Sequence, residues 1–440
     1  MENKSFTKAI PVIGYALLLI GFINFIIFNV ILDPQALKSS LFTYYYSNYY
    51  QEIAANHLPW INFKFEYPPY AALVILFPAI FKGLSVFWVT ALRGLTCLVL
   101  SFLTVRAICS NKELDRLVKV FSILAIGSTS CIISNFYFGT FDWSLLILNA
   151  LLALTIFHPT KSAENGRWTW PLVFGGAAVK LMPLLAAPFL MIFGDKREQK
   201  SMRVSLLVVG ALHLPFVILG FNGLKYFIAY HRLRSIDCFS IYACVLDTLQ
   251  HFGKATITRE WNYGTIELQG SFCQLCTKLS LPLFALLYAV LIGYAFRLKS
   301  RGFDRRAGFG LYAVAFLIYP IISKVSQSSY VIWTIGGVVA LWLAGYQRPT
   351  FLKWGMVTCL LSCIIGVLQG ALFDDMSLPL VPWTTLGIWT LRHVVIAAFA
   401  IFTLKEIQLL SNSNTANVMD HSSKSELLLD ESTTGSISVR

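Results

Sequence analysis

Apolar runs of about twenty residues, separated by short polar stretches, fill the chain from Ala9 to Leu404 and match the thickness of a bilayer core. Ten of them read as full crossings, near residues 9–31, 85–106, 118–137, 142–158, 202–221, 279–297, 308–323, 330–346, 354–372 and 387–404. A spanning barrel would instead show alternating segments of about ten residues. The pattern predicts an all-α polytopic membrane protein. The first run, Ile10–Leu32, has no convincing small-residue processing site and reads as a span.

Two apolar segments do not fit as crossings. Tyr70–Phe81 is too short and follows Pro68-Pro69, a pair that can begin a helix but not sit inside one, so it reads as a partial-depth helix. Trp170–Phe193 is interrupted by Lys180 and Pro183 and flanked on both sides by basic loops. It predicts two short helices meeting near the outer half of the membrane.

Composition agrees with this class, at 56% apolar and 13% charged residues. The net charge of +13 raises nucleic acid as a partner, and its distribution removes it. Basic residues collect in short loops: Lys112, Arg116 and Lys119; Lys161 and Arg167; Lys196, Arg197, Lys200 and Arg203; Arg297, Lys299, Arg301, Arg305 and Arg306; Arg348 and Lys353. By the positive-inside rule these loops and both termini are cytoplasmic. The loops 32–69, 222–278 and 373–386 are then extracytoplasmic, and the plasma membrane is the expected location. Residues 1–410 form the transmembrane domain. The tail 411–440, rich in Ser, Thr, Asn and Asp, is expected to be disordered and cytoplasmic.

Nine cysteines are present. Cys97, Cys109, Cys131, Cys359 and Cys363 lie in or near spans and read as small buried apolar residues. Cys238, Cys244, Cys273 and Cys276 share the loop 222–278, where two disulfides could form. A single Cys-x-x-Cys is weak evidence for zinc.

The most informative local stretch is Glu66-Tyr67-Pro68-Pro69, a carboxylate pinned by prolines at a membrane boundary. An acid there must be hydrated, paired or used. Lys180, amid apolar residues, must likewise face a partner rather than lipid. Arg93 and Arg392 lie inside spans, where structural pairing and phosphate contact are both open. Asp142 opens a span and is a candidate helix cap. Tyr44, Tyr45, Tyr46, Tyr49, Tyr50 and Trp60 crowd the first loop, as interfacial anchors or as a wall for sugar stacking, with Trp261 and Tyr263 similar candidates in the second.

Five patches in order carry a resemblance: Asn62 to Pro69, Phe141-Asp142-Trp143, Gly175 to Pro183, Tyr230 to Arg234, and Ser323 to Tyr330. Together they resemble glycosyltransferase family 87, enzymes of the GT-C fold that use polyprenyl-phosphate sugars, mannosyltransferases among them. The last patch lacks the proline of the family pattern Lys-Val-x-Ser-Pro-Gln-Tyr.

The resemblance implies a GT-C-like hexosyltransferase, which takes a sugar from a polyprenyl monophosphate in the outer leaflet and passes it to an acceptor hydroxyl with inversion. Such a reaction needs a carboxylate base, cations at the leaving phosphate and a groove for the isoprenoid tail. It implies no cofactor beyond the donor and leaves a divalent metal open. Its partners are membrane lipid, the polyprenyl-phosphate sugar and a glycan or glycolipid acceptor. Lys180, His231, Arg234 and Lys324 are the phosphate-binding candidates, since arginine's planar fork suits a phosphate. Family members usually carry an Asp about two dozen residues before Tyr-Pro-Pro, where this chain has Ser40-Leu41-Phe42-Thr43. Asp33 and Glu66 are the catalytic candidates in its place, Asp33 as the base and Glu66 as an organiser of the loop or of Lys180. Asp142 and Tyr67 are further site candidates, and Glu52 reads as solvated. Two other function classes stay open: a lipid-sugar binding scaffold without catalysis, and a secondary transporter, against which no internal repeat is seen.

Overall fold

The computed structural model describes residues 4–28, 41–75, 77–81, 83–158, 168–262 and 265–433, so Asp33 and Tyr263 lie outside the described residues. Seven described helices are long and apolar enough to cross a membrane: Ala9–Ile26, Trp88–Ser110, Glu198–Leu219, Ser271–Ser300, Arg305–Ile322, Pro349–Ala371 and Trp383–Leu409. The chain is an all-α polytopic membrane protein. Three further helices, Arg116–Ile132, Trp143–Phe157 and Val331–Leu343, stand where crossings are expected but are shorter. Val331–Leu343 is buried at every residue and packs along Trp143–Phe157. A Cβ on Gly336 would lie 2.8 Å from Leu146 Cα, so glycine is what lets these two backbones approach. A helix enclosed by protein need not match the bilayer in length.

The lipid-facing flanks are different. Only 6% of the Glu198–Leu219 window and 17% of the Ser271–Ser300 window are buried inside the protein. Between them lies the interrupted segment, as the Lys180 and Pro183 pattern predicts. Helix Thr169–Val179 stops at Lys180, whose backbone is extended, and a 3-10 turn Met182–Ala186 leads into Ala187–Phe193. The first half packs on Lys196–Leu219 and the second on Ser271–Ser300. Tyr70–Phe81 likewise resolves into two short pieces, Ala71–Ile75 and Phe77–Ile80.

One end of the bundle carries a cap. Helix Phe221–Leu233 leads to strand β1 (Ile236–Asp237), helix Ile241–His251, and the hairpin of β2 (Thr258–Asn262) and β3 (Thr265–Gln269). The sheet is antiparallel in the order β1-β3-β2, with Asp237 opposite Glu267. Ile236, Phe239, Leu246 and Leu268 share a core with Met376, Val381 and Trp389, which joins the loops 222–278 and 373–386. The first loop reaches the same end. The Trp60 indole donates to the carbonyls of Phe65 and Tyr67, both at 3.0 Å, and Trp60 backbone lies so near Gly223 that a Cβ there would be 2.3 Å away. Away from the cap, Arg305 is paired to Glu198 and Arg348 to Glu406 at 3.2 Å.

One expectation changes. Cys238, Cys244, Cys273 and Cys276 are free thiols, because they serve as apolar members or neighbours of the cap core. The last helix is described over Trp383–Thr433. No glycine or proline stops it between Gly387 and Gly435.

Candidate active site

Glu66 is buried, where the rigid Pro68-Pro69 turn meets the aromatic cluster of Trp60, Phe65 and Phe141. Tyr49 donates its hydroxyl to Glu66 Oε2. Burial and the nearby carboxylate push the Tyr49 phenol far up, so it stays a donor. The Glu66 backbone carbonyl accepts from His231 Nε2 at 3.1 Å. Since a carbonyl only accepts, that nitrogen carries the proton. Burial, Arg234 and Lys324 lower the His231 pKa, so the imidazole is neutral at physiological pH. The Tyr67 ring packs on Phe65 and Phe141, with centroids 5.5 and 6.0 Å apart. Glu52, by contrast, is half-exposed, and among the described residues its carboxylate meets His57, at 2.6 Å.

Lys180 occupies the break between the two short helices. It does not meet Glu66, the partner considered for it from the sequence. Its ammonium donates to Asp142 Oδ1 and lies 4.7 Å from the ring centre of Trp333, 5.6 Å from Phe141 and 6.0 Å from Tyr330. Such an aromatic enclosure favours a cation. Asp142 is not a helix cap: its side chain makes no cap bond, and Oδ1 also accepts from Trp333 Nε1 at 2.8 Å. One carboxylate oxygen thus takes both donors, and Oδ2 has no hydrogen-bond partner among the described residues.

Arg234 and Lys324 form a second cluster under the cap. Buried Arg234 lies 3.4 Å from Glu267 Oε1 and 3.7 Å from Asp237 Oδ2. Against burial, the surrounding Tyr230, Asp237, Tyr330 and Glu267 hold the guanidinium charged. Lys324 donates to the carbonyls of Arg234 and, at 3.0 Å, Arg232. Burial pushes its ammonium down to about 8, with Glu267 opposing and Arg234 adding to the shift. Arg93 donates to the Gly139 carbonyl at 2.6 Å.

The clusters are neighbours. Tyr330 lies within electrostatic reach of Asp142 and of Arg234, and His231 within reach of Arg234 and Lys324. Glu66, Tyr67, Asp142, Lys180, His231, Arg234 and Lys324 therefore gather at the capped end, in subsets that sequence alone did not assign. Trp333, Tyr330, Asp237 and Glu267 were not singled out. For Glu267 alone a signal existed: Thr265–Gln269 alternates polar and apolar residues, as a half-buried strand does, whereas Thr258–Asn262 and the two-residue β1 that holds Asp237 show no such alternation. For Trp333, 191 positions from Asp142, there was none.

Among the described residues, no group of three or more His, Cys, Asp and Glu is arranged to hold a metal ion. The arrangement offers buried cations beside aromatic walls and carboxylates of separate attachment, which suits binding an anion and moving a proton nearby. Residues 65–323, more than half of the chain, match the profile of glycosyltransferase family 87. No curated protein and no solved structure matches the chain.

Proposed function

Since the chain belongs to glycosyltransferase family 87, we propose that it transfers a hexose, with mannose the first to test, from a polyprenyl-phosphate donor to a hydroxyl of a glycan or glycolipid. The transfer takes place at the capped, extracytoplasmic end, in the plasma membrane, with both termini cytoplasmic and no cofactor beyond the donor. The observation that carries this reading is Lys180. A single ammonium stands at the break of a membrane-level helix pair, held by one carboxylate and open to exchange that partner for a phosphate. The flanking helices Glu198–Leu219 and Ser271–Ser300 expose Leu207, Ile218, Leu281 and Leu286, and Leu181 is exposed at the break itself. An isoprenoid tail lies along this apolar flank, its phosphate at Lys180.

Inversion by direct displacement requires the attacking hydroxyl and the departing phosphate on opposite faces of the anomeric carbon. Asp142 touches Lys180, so the two serve one face, and Asp142 acts as counter-ion rather than base. Asp33, which lies outside the described residues, is assigned as the base on its sequence position alone, with Glu66 holding the loop through its carboxylate to Tyr49 and its backbone carbonyl to His231. Lys324, His231 and Arg234 complete the field around the phosphate, which is stabilised as negative charge develops on it. Tyr67 lines the wall beside Phe141.

The test is incubation of purified protein in lipid with labelled polyprenyl-phosphate sugars and candidate acceptors. Acceptor-dependent consumption of one such donor is expected. Retention of the donor without turnover would favour a binding scaffold, and preference for a nucleotide sugar would contradict the donor class.

A further inference from the structure

Arg392 lies in the last span, outside the residues that match the family. Its side chain is fully enclosed, and among the described residues no carboxylate hydrogen-bonds it, Asp237 lying within electrostatic reach only. Nη1 donates to the Gln327 carbonyl at 3.1 Å, and Nη2 to the carbonyls of Phe239 and Ser326, both at 2.9 Å, and to Ser326 Oγ. A buried guanidinium with no acid in direct contact is expensive, and packing alone would be served more cheaply by an apolar side chain of similar size. What only the planar fork supplies is simultaneous grip on two chain segments: Phe239 of the cap and Ser326-Gln327 of the late loop.

That loop leads directly to the lysine. The Gln327 carbonyl held by Arg392 also accepts the Tyr330 N–H at 3.0 Å. Tyr330 stacks on Trp333 with ring centres 3.8 Å apart, and Trp333 binds Asp142 while both rings face Lys180. We infer that Arg392 is a positioning residue for sugar transfer: by clamping Ser326 and Gln327 to the cap it fixes the turn from which Tyr330 and Trp333 enclose Lys180. It touches neither donor nor acceptor. This inference rests on the reading of Lys180 as the donor-phosphate cation.

The experiment is steady-state transfer by purified Arg392→Lys, Lys180→Ala and the double variant, with thermal unfolding of each recorded alongside. A lysine keeps the charge but cannot hold both segments, so Arg392→Lys should raise the donor KM about tenfold with a much smaller change in kcat. In the Lys180→Ala background the same substitution should add little, because the two act through one contact chain. Ser326→Ala, which removes a single acceptor, should raise the donor KM by about threefold and decides the matter if Arg392→Lys does not fold. An unchanged donor KM in the folded variants, or additive effects in the cycle, would overturn the inference. A wild-type protein that consumes no polyprenyl-phosphate sugar would instead break the activity reading beneath it.

Discussion

Lys180, half-buried, and Arg234, buried, are two cations at the same end of one bundle, and their surroundings differ in a way that separates function from support. Lys180 has one carboxylate and three aromatic faces. Arg234 has two carboxylates from the cap sheet, one at 3.4 Å and one at 3.7 Å. A cation with one acid can trade it for a phosphate and leave a single carboxylate to be satisfied. A cation with two acids is already neutralised, and pulling it away opens the cap. The same charge in the same region therefore reads as a ligand site in one case and as a fastening with a contribution to the field in the other.

The sharpest test concerns the base assigned from the sequence. If Asp142 is only the counter-ion of Lys180, the largest loss belongs to Asp33→Asn, about 10²–10⁴-fold in turnover with donor binding retained. Turnover by single-turnover kinetics and donor retention by lipid-binding assay would show this, and an equal or larger kcat loss in Asp142→Asn would exchange the two roles. Glu66→Gln should lower folded yield and activity together, since it removes the charged acceptor of the buried Tyr49 hydroxyl, while the His231 bond to the backbone carbonyl is kept.

Next come the two cations themselves. Lys180→Ala should weaken donor binding by about 10–100-fold, the size of one lost charge-assisted phosphate contact. Arg234→Ala should cost about 3–5 kcal/mol of stability, because it strands buried acids. Comparison of donor affinity with thermal unfolding breaks the distinction if both variants lose the same property. Arg234→Lys keeps the charge without the fork and should weaken donor use less than Lys180→Ala.

A smaller effect follows from Lys324, whose pKa is lowered to about 8. The charged form attracts phosphate, so donor affinity should be highest below pH 8 and fall as pH rises through it, by at most about tenfold per pH unit. Binding measured from pH 6 to 9.5 should show this decline in the wild type and a flat profile in Lys324→Met. The smallest effect is none at all. With the four cap thiols free, a reducing agent should leave the unfolding temperature unchanged, whereas a disulfide would contribute about 2–4 kcal/mol.

The sequence carried the long apolar helices, the break at Lys180 and the grouping of loops at the capped end, because hydrophobic period, proline chemistry and charge asymmetry are local signals. The partners within the site were a different matter. Lys180 was weighed with Glu66, yet its carboxylate is Asp142, and nothing in a linear pattern links Asp142 to residue 333. Asp237 and Glu267 meet through strand register, visible only once β1 is laid on β3. The cap sheet was missed because β1 has two residues and an apolar background hides so short a strand. Arg392 was left open between two roles, and its partners are carbonyls, which no sequence motif advertises.

The most direct test of the account is a cryo-electron microscopy structure in a lipid nanodisc with polyprenyl monophosphate bound. The phosphate is expected in hydrogen-bonding contact with Lys180 Nζ, the tail along Glu198–Leu219 or Ser271–Ser300, and Arg234 still seated between Asp237 and Glu267. A phosphate away from the cap, against Arg305 or Arg348, or one held at the capped end with Lys180 still bound to Asp142 alone, would contradict that expectation.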